Sequence, residues 1–183
     1  IRLADYRGLK LPLQNQAIPN DLLNLQHVHE PGVFDAISIR YKQRHIYTRS
    51  GDILLAINPF ENLTIYTEKD QQMYADSILR ERSSRDPRDT LDPHIYEVSA
   101  LAYKGLLRHE TNQTIVLSGD SGSGKTSSYK LLLHHLATLQ KKNSTKITKS
   151  IEASNPILEA FGNAATIRND NSSRFGKYTE LQY

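Results

Sequence analysis

The chain contains no cysteine, which excludes a disulfide framework and any thiolate metal site and fits a reducing intracellular setting. It has no run of 18 apolar residues and no signal-like start, so the sequence predicts no direct membrane insertion. One-sided charge is also lacking: 23 Lys and Arg stand against 20 Asp and Glu, a net charge of +3. That surplus is small and dispersed, and it gives no argument for nucleic acid. Internal repeats and heptad arrays are absent as well, which removes solenoids and coiled coils.

What remains is an ordinary globular composition, 38% apolar over 183 residues, enough for one domain with a real core or for one slice of a larger domain. The chain begins with Ile1 and ends in the alternating run GKYTELQY, which reads as a strand whose sheet continues elsewhere. A fragment is the expectation.

Residues 1 to 29 carry Pro12, Pro19 and scattered leucines and read as an irregular lead-in, with a short helix at NDLLNLQ. EPGVFDAISIRYKQRH opens with Pro31 and Gly32 and spaces Val33, Ile37 and Tyr41 four apart, one face of a helix resting on a sheet. Two β-rich runs, His45 to Thr48 and Ile53 to Ile57, meet at Ser50-Gly51-Asp52 and predict a hairpin whose second strand is buried. A helix from about Glu68 to Arg80 follows, then RERSSRDPRDTLD as a surface loop. Asp92-Pro93 offers a cap and first-turn proline for a helix with Ile95, Val98, Ala102 and Leu106 inside.

Thr114 to Leu117 reads as a short strand, and Tyr129, Leu132, Leu133 and Leu136 mark one face of a later helix. KKNSTKITK, Lys141 to Lys149, reads as a solvated loop. A helix from about Ile147 to Asn163 is expected to bend or break near Pro156. TIRNDNSSRFGKYTELQY then reads as a polar loop leading into a strand.

Between the strand and the helix lies SGDSGSGKTSS, which contains Gly119-x-x-x-x-Gly124-Lys125-Thr126. A multiply charged anion needs many donors close together, and backbone N–H groups supply them only where side chains leave room. Gly119, Gly122 and Gly124 give that access, and Asp120, Ser121 and Ser123 complete the loop. Lys125 would reach the β- and γ-phosphates of a nucleotide, and the Thr126 hydroxyl would ligate Mg²⁺. The pattern arises by chance in on the order of one chain per one or two hundred of this length, and its strand–loop–helix setting argues against accident. Asp120 is expected on the approach side of the loop, bonded to neighbouring backbone or switch residues.

A second polar concentration is NDNSSRF, Asn169 to Phe175. Alone it is a turn. Beside a phosphate loop it supplies the types a hydrolytic site needs: a second hydroxyl for magnesium, a group to orient water and a cation for developing charge. Such a segment can be ordered by a γ-phosphate and released after hydrolysis.

GDSGSGKT resembles the myosin phosphate loop GESGAGKT, and ASNPILEAFGNA with RNDNSSRFGKY resembles the stretch through myosin switch I. HEPGVFDAISIRY, IYTRSGDILLAINPF and PHIYEVSALAYKGL resemble consecutive stretches upstream, so the likeness runs from about Asp21 to Tyr183. Kinesin shares a loop with Ser at the position of Ser123, but Phe175-Gly176-Lys177 and NPFENLTIY are the myosin choices. HEPGVF is reminiscent of class V or plant-type heads.

The resemblance implies an α/β, P-loop NTPase-type fold, a mixed central β-sheet flanked by helices, here incomplete. Residues 30–183 would form the nucleotide-binding portion of a motor head, with the phosphate loop at 119–126 and switch I at 169–177. ATP and Mg²⁺ are the implied cofactors. Asn58, Pro59 and Tyr66 would match the adenine loop, although Asn62 stands where the family often has a basic residue and Thr64 where it has proline. Without the resemblance, Tyr66 reads equally as a core tyrosine.

Gly119 to Thr126 and Asn169 would hold the phosphates, Thr126 and Ser173 the magnesium. Ser172 would position water, and Arg174 would pair with a switch II glutamate. Switch II, the relay and converter, most of the actin-binding surface and the lever arm with its light chains or calmodulin would lie beyond Tyr183, with a small barrel before Ile1. The 183 residues alone are then expected to bind nucleotide weakly and hydrolyse it slowly or not at all. In the intact protein the implied activity is Mg-ATP hydrolysis driving movement on actin filaments in the cytoplasmic cytoskeleton. A nonmotor nucleotide-binding or scaffold module is the alternative. A small-molecule phosphotransferase fits less well, because Asn-x-x-Ser-Ser-Arg before Phe-Gly suits water activation better than acceptor recognition.

Overall fold

The computed structural model describes residues 2–79, 88, 90–140, 144–167 and 169–182. The chain divides into two compact units, Ile1–Ile115 and Val116–Tyr183.

In the first unit, β1 (Leu3–Tyr6) and β2 (Leu9–Pro12) pair antiparallel, Leu3 opposite Pro12 and Tyr6 opposite Leu9. The stretch expected to be irregular is therefore a hairpin, turned by Arg7 and Gly8, both at positive φ. Asp21 caps a 3₁₀ turn at Leu22–Asn24 through its side chain, close to the predicted helix.

Helix α1 (Glu30–Lys42) follows, with Pro31 in its first turn. Its N-cap is His29, whose Nδ1 accepts from Gly32 N–H at 3.0 Å while Nε2 lies 2.5 Å from Pro12 O. Gly32, Ala36 and Arg40 are its buried residues; Val33 and Ile37 are half-buried, and Tyr41 is largely exposed. The most buried line lies one position before the expected one, with Ala36 against Leu22 and Leu25, while Val33 and Ile37 of the expected face pack on the same cluster beside Leu55.

The helix ends in a Schellman turn: His45 N–H donates to Arg40 O at 3.0 Å and Arg44 N–H to Tyr41 O at 2.9 Å. Arg44 takes the left-handed position, φ 67°, that glycine usually fills.

β3 (Tyr47–Ser50) and β4 (Ile53–Ala56) form the predicted hairpin, with Gly51 at φ 61° in its turn. Burial is the reverse of expectation. β3 carries buried Tyr47, Thr48 and Arg49, whereas Ile53 in β4 is 64% exposed. Thr48 and Arg49 are buried because their neighbours supply polar partners. Arg40 donates from Nε to Thr48 Oγ1 and from Nη2 to Tyr47 O, each at 2.9 Å. Burial is the main influence lowering the Arg40 pKa, since its bonded partners are neutral oxygens. Arg49 grips Glu97, Nη2 to Oε2 at 2.7 Å, and also donates to Leu91 O at 2.8 Å.

α2 (Glu68–Leu79) starts one residue after Thr67 and packs on α3 (Ile95–His109). The cap of α3 is His94, whose Nδ1 accepts from Tyr96 N–H at 3.1 Å, rather than Asp92. Asp92 instead accepts from Asn20 Nδ2, and its carbonyl accepts from the Tyr74 hydroxyl. The first turn of α3 is buried all round, at Ile95, Tyr96, Glu97, Ser99 and Ala100, while Val98, Ala102 and Leu106 are half-buried. Most of the predicted loop RERSSRDPRDTLD lies outside the described residues.

Thr114 to Leu117 is not a strand, and Val116 is 80% exposed. A β-branched run forms a strand only with a neighbour to bond, and no described strand pairs with it.

In the second unit, α4 (Lys125–Leu139) buries Leu132, Leu133, His135 and Ala137, with Tyr129 and Leu136 half-buried. α5 (Ser144–Gly162) begins inside the segment read as a loop and runs through Pro156 as one helix. The predicted break does not occur. β5 (Asn163–Thr166) and β6 (Asn169–Ser173) then pair antiparallel with an irregularity between Ala164 and Thr166. The polar residues expected in a loop are therefore a strand, and the expected strand after Gly176 has no strand partner.

The architecture is a mixture of helices with three two-stranded antiparallel sheets among the described residues. No described helix is long and apolar enough to cross a membrane.

Candidate functional site

The glycine loop is held open by backbone conformations that side chains resist. Gly119, Gly122 and Gly124 have φ of 155°, 80° and 93°. Gly124 is the N-cap of α4 and, having no side chain, caps nothing. The N-cap therefore places no side-chain acceptor on the first-turn N–H groups of this 15-residue helix, which carry the positive end of its dipole.

A Cβ added at Gly119 would stand 2.6 Å from Ser123 Oγ. That hydroxyl is buried and without a hydrogen-bond partner, an unmet donor inside the loop. Lys125 folds back over the loop, Nζ donating to Gly119 O at 2.6 Å and to Asp120 O at 2.8 Å. Ser123 N–H also donates to Asp120 O. The backbone of Asp120 thus braces the turn while the residue itself is exposed.

Ser121 Oγ donates to Ser172 Oγ at 2.7 Å. The structure brings together the phosphate loop and the switch-like segment through this bond, and Ser172 is 3% exposed. Successive strand residues face opposite sides. Ser172 faces the loop, and Ser173 shares the other side with its cross-strand partner Asn163, whose Nδ2 donates to Asn171 Oδ1 at 2.7 Å.

Asn169 is occupied within the hairpin: its Oδ1 accepts from Asn171 N–H and its Nδ2 donates to Asn171 O. Arg174 is exposed, and its N–H donates to Gly162 O at 2.9 Å. Thr126 is half-buried in the first turn of α4. No group of three or more His, Asp or Glu among the described residues is arranged to hold a metal.

The residues expected at a purine lie in the first unit and are described by themselves. Asn58 Oδ1 accepts from Phe60 N–H at 3.0 Å, a local turn that holds exposed Phe60 at φ 53°. Pro59 is half-buried. Tyr66 belongs to an aromatic group around His94: its hydroxyl meets that of Tyr47 at 2.9 Å, and its ring centroid is 5.6 Å from His94 and 6.3 Å from Tyr96. Burial is the chief cause raising the phenol pKa of Tyr47, Tyr66, Tyr74 and Tyr96.

The sequence reading overlooked Ser121–Ser172 as a pair, because only the fold brings residues 51 apart together. It also missed Thr67 and Asp70, although Thr-x-x-Asp before a helix is a visible signal. Thr67 N–H donates to Asp70 Oδ2 at 2.9 Å, and Asp70 N–H to Thr67 Oγ1 at 3.2 Å.

A glycine-lined loop that opens a helix, with a serine-bearing hairpin bonded to it, has the form of an anion-binding loop. The family follows from comparison. The model described as myosin head (motor domain) matches residues 19–183, and the chain belongs to that family. It is 45% identical over 163 residues to Myosin-VIIa of Drosophila melanogaster, covering 89% of this chain and 7% of that protein. It is 42% identical over 198 residues to unconventional myosin-Vb of Rattus norvegicus, covering 100% of this chain and 10% of that one. Unconventional myosin-Vc of Homo sapiens is 45% identical over 177 residues, 94% of this chain and 10% of the relative. The chain thus spans about a tenth of the curated relatives it matches, and relatives named for classes V and VII stand at similar identity.

Proposed function

We propose that the chain is the ATP-binding part of a myosin motor head, which in the intact protein hydrolyses Mg-ATP and couples it to movement along actin. The observation that carries this reading is the loop Gly119 to Thr126: three glycines at positive φ, an uncapped helix N-terminus and a buried, unpartnered Ser123 hydroxyl. Each is a donor, or room for a donor, aimed at an anion. The residues fit a polyphosphate.

In this reading the N–H groups from Gly122 to Thr126 and the Lys125 ammonium hold the phosphates, with Asp120 and Ser121 bracing the loop. Lys125 exchanges one or both of its loop carbonyls for phosphate oxygens, a move its flexible stem allows. The hydroxyls of Thr126 and Ser173 would hold Mg²⁺, whose charge would offset that developing on the γ-phosphate; Ser173, which here shares the side of Asn163 away from the loop, would have to turn toward Thr126 to do so. Ser172, already bonded to Ser121, orients water, Asn169 contacts phosphate once its amide gives up its bonds to Asn171, and Arg174 takes a switch II glutamate. Asn58, Pro59 and Tyr66 would receive the base.

The finer architecture proposed is a P-loop NTPase sheet to which these strands contribute, with residues 1–29 as lead-in and 30–183 as the nucleotide-binding portion. Actin, light chains or calmodulin, and a place in the cytoplasmic actin cytoskeleton are proposed for the whole protein.

The test is nucleotide titration of the full-length protein with and without Lys125→Ala. Loss of a charge-assisted contact to phosphate should weaken ATP binding by about one to two orders of magnitude. Unchanged affinity, together with no actin-stimulated ATPase in the parent protein, overturns the proposal.

A further inference from the structure

We propose that Lys177 and Asn155 are positioning residues that clasp the trailing end of the switch-like hairpin to α4 and α5, an inference that rests on the nucleotide-binding reading above. The ammonium of Lys177, an exposed residue, meets three side chains at once. It donates to Asn155 Oδ1 at 2.9 Å, lies 5.5 Å from the ring centroid of Phe175 and 5.7 Å from that of Tyr129. Asn155 is on α5 and 4% exposed. Tyr129 is on α4, one turn after Lys125, and its hydroxyl lies 2.8 Å from Thr179 Oγ1.

Phe175 is fixed in turn. Its ring lies so close to Gly162 that a Cβ there would stand 2.2 Å from Cδ1, and the Arg174 N–H bonds to Gly162 O.

The arrangement suits a cation and nothing neutral. Two ring faces present negative potential and a buried amide oxygen presents a lone pair, so a compact ammonium satisfies all three. A methionine of similar length fills the space and answers none of them. An arginine keeps the charge and the donors.

The clasp matters because of what it tethers. β6 is bonded at Ser172 to the phosphate loop, and the clasp secures the segment leaving β6 to the helix that the same loop opens. With both ends held, Ser172 and Ser173 keep their relation to the loop. With the trailing end released, the strand that presents them is anchored on one side only.

The test uses full-length protein bearing Lys177→Met, Lys177→Arg or Asn155→Leu. Amide hydrogen exchange is read in residues 169–174, with α2 as internal control. Lys177→Met should speed exchange in 169–174 on the order of five- to tenfold while leaving α2 unchanged, and Lys177→Arg should restore most of the protection. Asn155→Leu should resemble Lys177→Met. In turnover, Lys177→Met should lower kcat more than it raises KM for ATP, because the loop that binds phosphate is intact.

Unaltered exchange in Lys177→Met, or an arginine variant no better than the methionine one, overturns the clasp. If the parent protein turns over no ATP, the function proposed above fails, while the exchange experiment still decides the clasp.

Discussion

Arg49 is a cation taken almost entirely out of water: its side chain and that of Glu97 are each 5% exposed. The pair survives burial because every nitrogen of the guanidinium has an acceptor. Nε and Nη2 go to the carboxylate, Nη2 also to Leu91 O, and Nη1 to Arg88 O at 3.1 Å. Removing one partner leaves the other charged and unmatched in a low-dielectric setting. Arg49→Ala or Glu97→Ala should therefore each destabilise the protein by about 3–5 kcal/mol, measured by denaturant unfolding. The double variant Arg49→Met/Glu97→Leu should recover most of that loss. The sequence offers no hint of this pair, since Arg49 sits in a strand and Glu97 in a helix 48 positions on, and only tertiary packing brings them together.

At the scale of elements, helix ends decide several outcomes. Arg44 occupies the left-handed position of the α1 Schellman turn, where a Cβ costs about 1–2 kcal/mol. Its ion pair with Glu61 is exposed and contributes little. Arg44→Gly should raise stability by about 0.5–1 kcal/mol after allowing for the freer unfolded chain, read as an upward shift of the urea midpoint.

The start of α2 responds to acid. Burial, the largest single influence, pushes the Asp70 carboxyl up, but the hydrogen bonds from Thr67, with His94 and Lys69 nearby, outweigh it and hold the group below its ordinary value of 3.8. A depressed carboxyl contributes stability above its ordinary value and loses it as pH falls through the lower folded one. Between neutral pH and the acid side of that range, the parent protein should lose more unfolding free energy than Asp70→Asn does.

These ends also show what was legible. The hairpin at Ser50–Gly51–Asp52 and the helices α1, α2 and α4 follow from turn chemistry and apolar spacing. The caps His29 and His94 do not, because imidazole is an uncommon cap and Pro31 and Asp92-Pro93 drew attention instead. Nor does β6, because Asn-Asp-Asn-Ser-Ser contains only residues with weak strand preference. It is a strand by virtue of pairing with β5, a relation that composition cannot express.

For the whole molecule, the glycine loop shows in the sequence at four positions, yet its surroundings do not. The buried Ser123 hydroxyl and the Ser121–Ser172 bond exist only once the chain is folded. Tyr66 illustrates the limit most clearly. A tyrosine near a strand stop reads equally as a base contact or as core, and its bond to Tyr47 and rings around His94 describe a packed aromatic. Calorimetry on the full-length protein should give tighter binding of ATP than GTP, and guanine preference would remove Tyr66 from the base site. Chelating Mg²⁺ with excess EDTA should weaken ATP binding by about tenfold or more, because Thr126 and Ser173 hydroxyls alone neutralise no phosphate charge.

The pairing of β5 with β6 carries one more implication. Ser172 and Ser173 are neighbours on opposite sides of a strand, so a single backbone setting presents one of them to the glycine loop at a time. The irregularity between Ala164 and Thr166 already sets two residues of β6 opposite one of β5. A shift of one residue in that pairing would turn Ser173 inward and Ser172 outward. The register of the hairpin thus decides which hydroxyl faces the glycine loop.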